Sequence, residues 1–127
     1  MATSVNLDIS KRVDITCRKG DSFSLEMMIS DADGVGIDLA QYTFKMEVRE
    51  TDTSSVSLLS SINDDFQFYN NANGAEGALE IVASSTAMEV ESGLYVYDIQ
   101  ATTGTQVTTW FYGIFKINED ITIWAIT

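Results

Sequence analysis

Apolar residues fall at every second position over much of this chain, and that period restricts what it can fold into. Phe23, Leu25, Met27 and Ile29 alternate with Ser22, Ser24, Glu26 and Met28. Phe44, Met46 and Val48 alternate with Thr43, Lys45, Glu47 and Arg49, and Leu79, Ile81 and Ala83 repeat the pattern. Successive side chains of a strand point to opposite faces, so each run presents one face to a core and the other to water. Two later runs, Leu94–Ile99 and Trp110–Ile117, are apolar on both faces. They suit central strands, or strands with one face covered by a partner.

Turn residues separate these runs. Asp31-Ala32-Asp33-Gly34 follows the first strong strand, Asn70–Gly74 marks a longer loop, and Thr102-Thr103-Gly104-Thr105 joins the two late strands as a hairpin. Asp, Asn and Gly tolerate the positive φ that such turns need. Many short strands broken by turns predict an all-β, antiparallel sandwich or small barrel. One short helical turn is expected, at Ser84–Glu89, where Glu89 lies three residues after Thr86 as in a capping box. The Ser- and Thr-rich stretch from Thr51 to Asn63 reads as a loop. The chain has no proline, so strand edges must be guarded by charge, bulges or a partner strand.

A length of 127 residues predicts a single domain over 1–127. Its core is expected at about 13–122, with terminal strands or arms at 1–12 and 121–127. Val5, Leu7 and Ile9 alternate near the start, and Ile121, Ile123, Trp124 and Ile126 make the end more apolar than a free tail. Either the ends pair within the domain, or one of them adds as a strand to a neighbour. Ile121, Ile123, Trp124 and Ile126 are therefore the candidate interface residues.

Seven Lys and Arg stand against 19 Asp and Glu, a net charge of -12. That balance argues against nucleic acid, whose phosphates require cations, and against anionic membrane surfaces. No run reaches the roughly 18–20 apolar residues of a membrane helix, and no signal peptide is visible. The lone Cys17 cannot form an internal disulfide and reads as a small buried hydrophobe.

No catalytic, cofactor or metal residues are assigned. The chain has no histidine, which removes the usual general base and most zinc sites. Paired carboxylates could still hydrolyse a glycosidic bond, given a deep cleft and one raised pKa. Asp31, Asp33 and Asp38 fit a calcium loop poorly, because its spacing and flanking helices are missing. Trp110, Trp124, Tyr95, Tyr97 and Tyr112 are placed either in core and interface or on a sugar-stacking platform.

The order of the pieces carries a resemblance. Val13-Asp14-Ile15-Thr16 leads to Arg18–Leu25, then to Asp31–Gly34 and Tyr42–Arg49. Ser92–Ile99 then precedes Thr109–Ile117 and Asp120-Ile121-Thr122. This resembles the immunoglobulin-like β-sandwich domains of tailed-bacteriophage structural proteins, the N-terminal domain of upper-baseplate proteins in particular. The resemblance spans Val13 to Thr122. It implies a non-enzymatic virion protein, made in the host cytoplasm, that docks on capsid, tail or baseplate subunits and could form a homo-oligomer. Its place would be capsid decoration or a tail, neck or baseplate adaptor. A carbohydrate-binding adsorption module with exposed aromatics is the alternative from another class.

Overall fold

The computed structural model describes residues 10–30, 33–70, 77–119 and 121. Among the described residues nine strands form: β1 (Lys11–Arg12), β2 (Ile15–Arg18), β3 (Phe23–Met28), β4 (Thr43–Arg49), β5 (Ser57–Ser60), β6 (Gln67–Asn70), β7 (Ala78–Ala83), β8 (Gly93–Thr103) and β9 (Gln106–Asn118). The larger sheet runs β1-β9-β8-β4-β5, with β2 also on β9, and the smaller runs β3-β7-β6. The alternating residues place Met46, Ile81, Ile99 and Phe115 wholly inside, where the two sheets face each other. The chain leaves the larger sheet for β3, returns for β4 and β5, crosses again for β6 and β7, and closes with β8 and β9. That connectivity is the immunoglobulin-like sandwich.

A further hallmark of the fold is the tyrosine at the start of the strand that re-enters the larger sheet. Tyr95 is buried at that position in β8, and its hydroxyl donates to the Glu91 carbonyl at 2.7 Å. Tyr95→Phe is expected to cost about 1–2 kcal/mol, because the bond is lost while the ring still packs. Urea unfolding checks this: equal midpoints for variant and parent would mean the corner bond adds nothing.

The structure departs from the sequence expectations in three places. β1 and β2 pair with β9 in parallel, so the larger sheet is mixed rather than purely antiparallel. The stretch expected as a loop, Thr51–Asn63, contains β5 and a 3-10 turn, Ser61–Asn63. Leu59 packs inward there, and Ser60 is held by the Asp65 and Glu47 carboxylates. At Ser84–Glu89 the chain does make one helical turn, with Met88 N donating to Ser84 O at 3.1 Å. The cap is Ser84, whose hydroxyl accepts from Ala87 N, and not Thr86. A second 3-10 turn, Leu39–Gln41, is capped by Asp38.

The late hairpin forms as expected, with Thr103 opposite Gln106 and Gly104 at φ 60 in the two-residue loop. The bridge between Ser30 and Gly36 closes the turn at Gly34, φ 81. The loop expected at Asn70–Gly74 lies, beyond Asn70, outside the described residues, as do Val5, Leu7 and Ile9. Among the described residues no helix is long and apolar enough to cross a membrane.

Candidate functional site

β8 and β9 are the longest strands and lie side by side at the centre of the larger sheet. Their inward side chains, Tyr95, Tyr97, Ile99, Phe115 and Ile117, fill the core. Their outward side chains include a second apolar group: Leu94 and Val96 on β8, Tyr112 and Ile114 on β9. Val96 pairs with Ile114 across the strands, so the four are contiguous. Leu94 is 65% exposed and Tyr112 42%. Val96, Tyr112 and Ile114 of this group line an open concavity of about 800 Å³, together with Arg12, Glu47 and Arg49.

Polar residues frame the apolar strip in register. One row across the sheet reads Glu47, Asp98, Tyr112, Arg12, from β4 through β8 and β9 to β1. The next reads Arg49, Val96, Ile114, with Asp14 beyond, its carboxylate accepting from Ile114 N at 3.0 Å. Glu47 is saturated: Arg49 Nη2 donates at 2.5 Å, the Ser60 hydroxyl at 2.9 Å, and Lys45 Nζ lies at 3.7 Å. Burial pushes its pKa up, yet those hydrogen bonds and charges outweigh burial and hold it below the ordinary value.

Asp98 is the opposite case. Burial raises its pKa, repulsion from Glu47 adds to the rise, and Arg49 and Lys45 offset only part of it. Both cations are turned toward Glu47, and the Asp98 carboxylate makes no hydrogen bond or ion pair among the described residues. A carboxylate with a raised folded pKa adds stability below its unfolded pKa and loses it as pH rises through the folded one. Glu47 acts in reverse, losing its contribution as pH falls. Asp98→Asn is therefore expected to raise the melting temperature of the single chain at pH 7, measured at a concentration too low for self-association, with the gain shrinking as pH falls through the carboxylate range. A variant less stable than the parent at pH 7 would show that the Asp98 charge is favourably paired.

The paired-carboxylate chemistry considered from the sequence needs an enclosed cleft. Glu47 and Asp98 are cross-strand neighbours on an open sheet face, and Glu47 is consumed by its own donors. Other candidates separate in space. Tyr95 and Tyr97 are core residues, the Tyr97 hydroxyl bonding the Val13 carbonyl, and burial pushes Tyr97 up to about 12. Trp110 is the extra residue of a bulge opposite Ile99 and Gln100, and it packs on Tyr42 and Phe44 at 4.9 and 5.7 Å between ring centres. Tyr112 points out of the other side of the sheet. The five aromatics named from the sequence are thus not gathered on one face, with Trp124 outside the described residues, while Trp110 joins Tyr42, Phe44 and Phe68 in a half-buried cluster.

Ile121 is 88% exposed, while Ile123, Trp124 and Ile126 lie outside the described residues. Asp38 serves as a cap, and no group of three or more ligating side chains could hold a metal among the described residues. Burial pushes the Cys17 thiol up to about 11, with Asp21 adding to the rise, so it is a poor nucleophile at neutral pH. The outer face of β8 and β9 was legible in part, because both runs are apolar on alternate and intervening positions. The lone Asp98 inside Leu94–Ile99 was the local sign of a framed surface.

No protein-family model and no curated protein matches the chain. Among solved structures it is similar to CopC from Methylosinus trichosporium OB3b, at 10% identity and a TM-score of 0.44, over 92% of this chain and 91% of that one. A likeness at that level bears on neither ligand nor activity.

Proposed function

We propose that this chain is a non-enzymatic structural protein of a bacteriophage particle that docks on other particle proteins, and that the outer face of β8, β9 and β4 is a protein interface of the particle, with another subunit or with a copy of itself. One observation carries the docking: the two longest strands present apolar side chains on both sides, and among the described residues only one side is covered. A contiguous apolar strip with a polar frame is the composition of a protein interface rather than of a solvated sheet. The particle assignment rests on the order of sequence motifs from Val13 to Thr122. It is supported by an immunoglobulin-like sandwich spanning the described part of that range. The place within the particle is a capsid decoration or a tail, neck or baseplate adaptor.

The test is the copy number of the chain in purified particles, by quantitative mass spectrometry against the major capsid protein. A number comparable to the capsid protein means decoration, and a small multiple of the tail symmetry means a tail, neck or baseplate part. Absence from particles overturns the reading. Ile114→Asp, which puts a charge in the middle of the strip, is expected to fold and yet be missing from particles.

A further inference from the structure

We infer that the outer face of the larger sheet is covered by a second copy of this chain, in a symmetric dimer whose two-fold axis runs along the strands between β8 and β9. This rests on the docking reading above and names its occupant.

The first argument is the distribution of charge. Five cations, Arg12, Arg18, Lys45, Arg49 and Lys116, lie on or around this face. Five carboxylates, Asp14, Glu47, Glu50, Asp52 and Asp98, frame it too. These ten charges balance. Among the described residues the rest keep two cations, Lys11 and Lys19, and ten carboxylates. Two copies approaching through this face therefore meet less repulsion than through the other described surfaces.

The second argument is register. A two-fold axis along the strands between β8 and β9 lays each cross-sheet row on its own reverse. The row Glu47, Asp98, Tyr112, Arg12 then sets each Glu47 over the Arg12 of the second copy, and each Asp98 over its Tyr112, whose hydroxyl can donate to the carboxylate. The row Arg49, Val96, Ile114, Asp14 sets Arg49 over Asp14 and Val96 over Ile114. Within one chain Arg12 pairs with Asp14 at 3.1 Å and Arg49 with Glu47, and in the dimer each of these charges also faces an opposite charge of the second copy, while the apolar pair meets itself. The arrangement also supplies the Asp98 carboxylate with a donor, which it lacks among the described residues. Complementarity of this kind selects register and orientation as well as partner.

The experiment is sedimentation equilibrium on the full chain, up to about 100 μM, where a standard-size interface is populated. The parent is expected to dimerise. Arg12→Glu and Glu47→Lys, each alone, set like charges over one another twice and are expected to weaken the dimer at least about tenfold. Mixed in equal amounts, they restore both contacts and are expected to form a heterodimer of near-parental affinity. Near-UV circular dichroism confirms that each variant is folded. If Glu47→Lys unfolds, Ile114→Asp replaces it as the disrupting variant and must abolish the dimer.

A monomeric parent overturns the proposal, as do folded variants that dimerise like the parent or a mixture that stays monomeric. The docking reading fails separately. A monomeric parent whose Ile114→Asp variant is lost from particles removes the second copy but keeps the face. An Ile114→Asp variant incorporated normally removes the face itself.

Discussion

Gly77→Ala is expected to cost about 3–5 kcal/mol, a large part of the stability of a domain this size. Gly77 sits at φ 76, immediately before β7, in the left-handed region that residues with a Cβ adopt at a cost. A Cβ there would stand 1.9 Å from the carbonyl oxygen of Ile29. That oxygen cannot retreat easily. Ile29 N donates to Gly77 O at 2.8 Å, and Ile29 O accepts from Ile37 N at 3.0 Å. Moving Ile29 strains both bonds and lifts a core side chain out of place. Gly34 is the internal control: its φ is 81, yet a Cβ there would meet nothing within 4 Å. Gly34→Ala should therefore cost only the conformational part, about 1–2 kcal/mol. Urea midpoints of the two variants separate crowding from conformation, and equal losses would show that the contact at Ile29 relaxes freely.

Phe115→Ala is expected to lose about 3–5 kcal/mol, through lost burial and the cavity left behind. Its ring is fully buried in β9 and is the hub of an aromatic cluster, with Phe23, Tyr97 and Phe66 at 5.8, 6.1 and 6.4 Å between centres. Phe23 and Phe66 approach from across the sandwich, so the cavity opens between the sheets, where neither can collapse without leaving its strand or loop. Phe115→Leu keeps most of the volume and should lose far less. Thermal unfolding of the pair checks this, and similar melting temperatures for the two variants would mean that the core repacks around the gap.

How far the sequence reaches is clearest in particular elements. Met46, Val48, Ile81 and Ile99 announce their burial by position alone, because a strand that alternates has one inner face whatever it pairs with. Ser57–Ser60 gives no such sign. It becomes a strand because β4 offers it an edge and because Glu47 and Asp65 hold Ser60. Gly77 looks like one more loop glycine until Ile29 is brought beside it.

The alternation, the turns and the total charge were determined by the sequence itself, since each depends on residues a few positions apart or on a sum. Tertiary structure alone decided the parallel pairing of β1 and β2 with β9 and the position of Trp110 in a bulge. It alone gathered five of the seven cations around one face. Those outcomes depend on which distant strands become neighbours, and a period of two fixes the face of a side chain without naming what lies next to it.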